Sequence, residues 1–298
     1  MHFSVPATSA NLGSGFDCLG LSLNFRNHFS ITESSEQKIK ICGEGERIIK
    51  FAENNMFVKI FTKVYTSLGG DSKFHFTFHN KIPISRGLGS SSAIIVGAIF
   101  SAYKMADFIP NKQEILNLAL QYEKHPDNIT PAVMGGFNAS LIYNDDNGKN
   151  QVMSIRHRIP NSIKAIIVIP NHPMATKKSR SILAKQYSIK DCVYNLSRSC
   201  VLSLAFSLNK WELLKESSKD RLHESQRMET FPILFNIKKF ALENGALMSS
   251  LSGSGSSIFS LCYADEAKKL ERKLRKNFPR FRTIGVDFDN DGIKLEKG

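Results

Sequence analysis

Residues 83–93 read PISRGLGSSSA, and the apolar run AIIVGAIFSAYKMA of residues 93–106 follows directly. Gly87 and Gly89 let the backbone turn tightly and approach a ligand closely. Ser90, Ser91 and Ser92 offer hydroxyls and N-cap chemistry. The apolar run is long enough for a buried helix, whose N-terminus points at whatever occupies the loop. Unpaired N–H groups and the helix dipole both favour negative charge there, so the expected ligand is a phosphate chain. A plain turn capping a core helix is the competing reading, because glycine-rich matches alone are weak. No Gly-Lys-Ser/Thr follows, and the glycine spacing is not that of a dinucleotide fingerprint. The owner of the loop must be sought in the rest of the chain.

On either side of the loop the pattern is mixed. Alternating Phe74, Phe76 and Phe78 predict a half-buried strand. Ile115, Leu118, Ala119 and Tyr122 fall at helical spacing and predict a helix over 112–123. Gly135-Gly136-Phe137 opens a strand through Ile142, and Asn144 to Gly148 is a turn signal. A boundary is expected near 145–162, dividing the chain into domains 1–155 and 156–298. Beyond it, Ile163–Ile169 is an apolar strand ended by Pro170. Helices are expected over 191–209, with Leu196, Cys200, Val201 and Leu204 on one face, and over 232–244, closed by Gly245. Strands over 246–251 and 257–263 flank a second glycine loop, Ser252 to Gly255. A charged helix (265–277) and a strand (282–288) complete a βααββαβ-like α+β unit.

Composition narrows the class. The 298 residues are 42% hydrophobic, enough for one large or two medium cores. The opening MHFSVPATSANLG lacks the basic and apolar regions of a signal peptide. No apolar stretch is long enough to span a bilayer, so no membrane association is expected. Five scattered cysteines, without a CxxC pair, fit a reducing cytosol and a cytoplasmic protein. The net charge of +13 raises nucleic-acid binding, and KKLERKLRKNFPRFR (268–282) is the densest basic segment. It lacks the stacking aromatics of a nucleic-acid module, so a solvated helix face is preferred and no nucleic acid is expected. A positive surface also draws in anionic substrates.

Two further segments concentrate polar chemistry. PATSANLGSGFDCLGLSLN (6–24) presents Asn11 and Asp17 from a glycine-containing loop between apolar ends. EKHPDNITPAVMGGF (123–137) crowds Glu123, His125, Asp127 and Asn128 at the end of a helix that His125-Pro126 does not readily continue. Such a cluster fits metal or substrate binding, while turn chemistry and a polar helix exit are the plain alternatives.

PATSANLGSGFDCLGL, PISRGLGSSSA, HPDNITPAVMGGF and GALMSSLSGSGSSIFSL (245–261) occur in the order and approximate spacing of the motifs of the GHMP kinase superfamily. Among its branches the chain most closely resembles the homoserine kinases. The ANLGxGFDxLGLxL opening and the HPDN…GGF segment single out that branch. The resemblance spans Val5 to Phe259. It implies an α+β, two-domain fold. The N-terminal part is an α/β nucleotide-binding domain with a left-handed βαβ unit, and the C-terminal part is ferredoxin-like. Two positions depart from the pattern: Ser14 and Ser256 stand where the family commonly has proline.

The resemblance also implies roles. Pro83, Ile84, Ser85, Arg86, Gly87, Leu88, Gly89, Ser90, Ser91, Ser92 and Ala93 would wrap the phosphates of ATP, with Arg86 either on phosphate or at the surface. Ser91 and Glu123 would hold magnesium, a cation that takes hard oxygens. The implied substrate, homoserine, is a zwitterion with a primary hydroxyl. Asn11 would bind the hydroxyl and Asp17 the ammonium, with His125 and Asp127 completing that wall. Thr176 and Arg180 match the family's Thr-x-x-x-Arg element. Arg227 matches a second carboxylate-binding arginine, with Arg221 as competitor; the planar fork suits a carboxylate. Asn11 would orient the hydroxyl for phosphoryl transfer, and Asp127 is the alternative proton acceptor. A homodimer is the default for such enzymes. Mevalonate or shikimate as substrate, and a non-catalytic nucleic-acid-binding member of the fold, are the competing readings.

Overall fold

The computed structural model describes residues 1–296. β1 (His2–Ala10) and β2 (Leu19–Ser34) pair antiparallel, and the register shifts between Pro6 and Ala7. Pro6 has no N–H for the ladder, and a bulge accommodates that loss. β3 (Lys38–Gly43), α1 (Ile49–Glu53), α2 (Met56–Ser67) and β4 (Lys73–Asn80) follow, with β3 parallel to β4. This is the βαβ unit of the N-terminal lobe.

Three helices come next: α3 (Ser90–Met105), α4 (Lys112–Ala119) and α5 (Pro126–Met134). The hairpin of β5 (Phe137–Asn144) and β6 (Asn150–His157) then joins the same sheet through β2. Phe74, Phe76 and Phe78 are buried, as their alternation requires. They meet Phe57 and Phe61 of α2, with ring centroids 4.9 Å apart for Phe57–Phe78 and 5.1 Å for Phe61–Phe76. Phe3 and Phe29 of the first hairpin stack at 5.0 Å and close the cluster.

The second lobe begins with β7 (Ile163–Ile169), α6 (Thr176–Ser181) and α7 (Ile189–Ser207). Short α8 (Leu214–Ser217) and α9 (Glu224–Met228) lead to α10 (Ile233–Glu243). β8 (Met248–Leu251), β9 (Ile258–Tyr263), α11 (Ala267–Asn277) and β10 (Arg282–Val286) complete it. The sheet order is β10-β7-β9-β8, antiparallel throughout, which is the ferredoxin-like arrangement. α11 buries Ala267, Leu270 and Leu274 and turns its lysines and arginines outward.

The structure alters or extends the sequence reading in three places. The helix expected over 112–123 ends at Ala119. His125-Pro126 does not continue α4, as the sequence reading has it; Pro126 instead opens α5 at its first turn, where a missing N–H costs nothing. The C-terminal tail does not stay with the second lobe: β11 (Lys294–Leu295) pairs with β1, and Leu23 bridges to Phe288. Arg26, buried in the first lobe, pins this tail through an ion pair to Asp289 and a hydrogen bond to the Gly292 carbonyl at 2.7 Å.

The aromatic cluster makes a direct prediction. Phe57 is fully buried among five phenylalanines. Phe57→Ala is expected to lower unfolding free energy by about 3–5 kcal/mol, read from the urea midpoint at unchanged m-value.

Candidate active site

Gly89 precedes α3 with φ 68°, and no side chain caps the helix. The glycine, not a serine, is therefore the cap residue. Ser90, Ser91 and Ser92 occupy the first turn, whose N–H groups have no partner within the helix. A Cβ on Gly89 would stand 2.0 Å from the Thr8 hydroxyl oxygen, and one on Gly87 would stand 1.9 Å from the Ser252 carbonyl oxygen. The loop is thus pressed between β1 and the second glycine loop. The Ser252 hydroxyl donates to the Gly87 carbonyl at 2.6 Å, and Ser257 N–H donates to the Arg86 carbonyl at 3.1 Å. The Arg86 guanidinium is tied to backbone, donating to the carbonyls of Pro170 and Ile84 at 2.9 Å each. Burial lowers its pKa.

One cavity of about 330 Å³ opens in front of α3. Ile84 to Ser92 line its middle together with Glu123, while Pro83 and Ala93 flank the loop without reaching the cavity. Asn11, Asp17, His125, Asp127, Thr176, Arg180 and Arg227 all line one end. The other end is apolar, built by Ile41, Phe51, Met56 and Phe78 with the amides of Asn54, Asn55 and Asn80 at its edge. Sequence reasoning missed this apolar end. Its residues come from β3, α1, α2 and β4, and no local pattern marks them as neighbours.

The polar end is held by backbone strain and cross-links. Asn11, Leu12 and Asp17 have φ of 69°, 50° and 59°, the left-handed region that Asn and Asp tolerate best. Fully buried Leu12 anchors the turn. The Asn11 amide donates to the Gly253 carbonyl at 3.0 Å and accepts from Asp17 N–H at 3.0 Å. Arg180 grips the Asp17 carboxylate with two hydrogen bonds of 2.7 and 3.0 Å. His125 stands 3.3 Å from Glu123 and 3.9 Å from Asp17.

Arg227 is 2% exposed and donates to the Gly253 carbonyl at 3.0 Å and to His223 Nδ1 at 3.2 Å. Arginine only donates, so His223 Nδ1 accepts and its Nε2–H donates to the Gly13 carbonyl at 2.8 Å. Burial lowers the His223 pKa, in keeping with this neutral form. Phe16 stacks on His223 at 4.9 Å, and the guanidinium carbons of Arg180 and Arg227 each lie 5.3 Å from its ring centre. The Nε atoms of both arginines have no partner among the described residues. Arg221, by contrast, pairs with Asp191 at 3.3 Å, stacks on Tyr194 and lies outside the cavity. Phe16, His223 and the Gly253 carbonyl were not singled out from the sequence.

Charge is unevenly placed. Asp127 is 4% exposed, and burial, then Asp17, push its pKa up to about 7. The hydrogen bond to Glu123 raises the His125 pKa. Asp17 raises that of Arg180 through their hydrogen bonds.

The GHMP kinases N terminal domain family matches residues 55–136, and the GHMP kinases C terminal family matches residues 204–280. A homoserine kinase of Helicobacter pylori J99 is 53% identical over 297 residues, covering 100% of both chains. The chain belongs to the homoserine kinase family of GHMP kinases. A homoserine kinase of Helicobacter hepaticus is 54% identical over 296 residues, 99% of each chain. The crystal structure of the homoserine kinase from Cytophaga hutchinsonii superposes with a TM-score of 0.86 at 27% identity, over 99% of this chain and 97% of that one. Within this homoserine kinase fold, all four motif segments read from the sequence reach one cavity.

Two outcomes test the geometry. Gly89→Ala places a Cβ against Thr8 at positive φ, and is expected to cost about 1–3 kcal/mol in denaturant unfolding. Asp127 holds a proton in the folded protein between about pH 4 and pH 7 that the unfolded chain has released, so its contribution to stability falls as pH rises through that window. Asp127→Asn should therefore raise the melting temperature relative to wild type more at about pH 8 than at about pH 4, measured by calorimetry.

Proposed function

We propose that this protein transfers the γ-phosphoryl group of ATP to the side-chain hydroxyl of L-homoserine, giving O-phospho-L-homoserine and ADP, a step of threonine biosynthesis. One observation carries the reading: a single cavity joins an uncapped helix N-terminus to a wall bearing two arginines and two carboxylates. The loop of residues 83–93 takes the phosphates, and the apolar end takes the adenine base.

The substrate fits the polar end by charge. Its carboxylate goes to Arg180 and Arg227, and its ammonium goes to Asp17. Arg180 and Asp17 are paired before substrate arrives, at 35% and 28% side-chain exposure. A half-exposed pair contributes about 1 kcal/mol or less, so a zwitterion can part it and satisfy both halves. Thr176 and His125 border the same wall, and Asn11 aims the hydroxyl. Ser91 and Glu123 offer the hydroxyl and carboxylate oxygens that magnesium accepts alongside phosphates. Bound there, the cation would supply charge neutralisation. Phosphoryl transfer through a loose transition state needs mainly alignment and neutralisation, so Asp127 is not required as a base. The five cysteines are free thiols, which a cytoplasmic enzyme keeps reduced. No nucleic acid or membrane enters the reaction.

Coupled ADP release with homoserine or mevalonate supplied separately tests the substrate, and only homoserine is expected to support turnover. Arg180→Ala should raise the homoserine KM by about ten- to a hundredfold and leave the ATP KM unchanged, as loss of a charged hydrogen-bond partner requires. Asp127→Asn should lower kcat by less than about a hundredfold. A fall beyond about a thousandfold at constant KM would instead assign the proton transfer to Asp127.

A further inference from the structure

His223 is buried and stands at the N-terminus of α9, one helical turn before Arg227, whose N–H donates to its carbonyl at 3.2 Å. Residues four apart share one side of a helix, so the two side chains meet. Asp220 fixes the backbone at this point. Its carboxylate accepts from the N–H groups of His223 and Glu224 at 2.8 Å each and from the Asn195 amide at 2.7 Å. The imidazole reaches back to the first motif, where its Nε2–H donates to the Gly13 carbonyl at 2.8 Å and Phe16 stacks on its face. Gly13 is itself packed so closely that a Cβ there would stand 1.8 Å from the Ser218 carbonyl oxygen.

Arg227 shows what this arrangement leaves open. Its Nη1 carries two hydrogens, and both are used: one goes to the Gly253 carbonyl at 3.0 Å and the other to His223 Nδ1 at 3.2 Å. Its Nε and Nη2 make no hydrogen bond among the described residues. The Nε–Nη2 edge is therefore the one free to take a carboxylate in the plane of the fork. Arg180 differs, since its Nη1 and Nη2 already hold Asp17. A guanidinium turns about its last bonds, and a single contact with Gly253 leaves that rotation open; the second contact, with His223, closes it. A carboxylate at position 223 would close it too, but would neutralise Arg227 and compete with an anionic ligand. A neutral imidazole supplies one acceptor and no charge. The nearest carboxylate oxygen to Nε2, on Asp220, is 3.7 Å away, beyond hydrogen-bond reach, and burial opposes charging of the ring.

We infer that His223 is a positioning residue of the carboxylate site: it holds the Arg227 guanidinium in the rotation that presents its Nε–Nη2 edge to the carboxylate of the substrate. In an α-amino acid the ammonium and the carboxylate sit on one carbon, so the groups that bind them must keep a set separation. The turn of residues 11–17 presents Asp17, and the imidazole ties that turn to Arg227. His223 thereby couples the ammonium wall to the carboxylate binder. It does so without lining the cavity, so it acts through Arg227 rather than on the ligand. The inference rests on homoserine being the substrate.

Steady-state kinetics of the wild type, His223→Asn and His223→Gln test it. In His223→Asn the new amide oxygen stands close to the place of Nδ1, so it accepts from Arg227 but does not reach Gly13. In His223→Gln the amide stands close to the place of Nε2, so it donates to Gly13 and leaves Arg227 Nη1 without its second acceptor. His223→Gln is expected to raise the homoserine KM by about tenfold or more, with the ATP KM unchanged and kcat lowered by a smaller factor. His223→Asn is expected to keep the homoserine KM within about threefold of wild type. An unchanged KM in His223→Gln, or an equal rise in both variants, overturns the inference, because the imidazole would then serve only the first-motif turn. A wild type that releases no ADP with homoserine instead removes the substrate reading, and the inference falls with it. Nitrogen NMR of the wild type needs no variant: His223 is expected with a bare Nδ1 and a protonated Nε2 at about pH 7, with and without homoserine. A protonated Nδ1 overturns the inference.

Discussion

The carbonyl oxygen of Gly253 accepts a hydrogen bond from the Asn11 amide and another from the Arg227 guanidinium, both at 3.0 Å. Much of the polar wall depends on this one acceptor. It lies in the second glycine loop, which also presses on the first through Ser252 and Gly87. Segments as distant in sequence as those of Asn11, Gly87 and Gly253 are thereby locked to one another within a few ångströms. A side chain at Gly87 would drive the loops apart, because its Cβ would overlap the Ser252 carbonyl. The glycines at these contacts serve close approach rather than flexibility.

Around that acceptor the protein arranges charge in opposed pairs. Arg180 meets Asp17, and neutral His223 receives a donor from Arg227 while holding the Gly13 carbonyl. Arg227 is buried without a carboxylate partner among the described residues, and burial lowers its pKa. A buried cation so placed is costly unless an anion arrives to meet it. Asp127 is the counterpart on the acidic side, shifted towards its neutral form by burial and by Asp17. A wall that places a buried cation beside carboxylates favours charged, amino-acid-like ligands over neutral alcohols.

Much of this was legible in the sequence, for local reasons. A glycine turn before an apolar run, as in 83–106, signals a helix N-terminus without reference to anything distant. Phe74, Phe76 and Phe78 reveal their strand by alternation alone. Other features were not legible. Pro126 reads as a helix stop, yet it opens α5, because proline is equally at home in a first turn. Leu196, Cys200, Val201 and Leu204 share one face of α7 by their spacing, and the structure turns that face to solvent while Leu202 and Phe206 face inward. Periodicity reports that a helix has an apolar side, not what covers it.

By itself the sequence determined the chemistry on offer. It offered the glycine loop of residues 83–93, Asn11 and Asp17 of the first motif, and the arginines whose planar forks suit a carboxylate. Tertiary structure alone decided which of these meet. It brought Arg227 into the cavity and left Arg221 at the surface against Asp191. It assembled the apolar end from Ile41, Phe51, Met56 and Phe78, and it returned the C-terminal strand to β1. The physical reason is the same in each case. Backbone carbonyls such as that of Gly253 have no letter of their own, and contacts across long loops are set by the packing of whole elements rather than by neighbours in the chain.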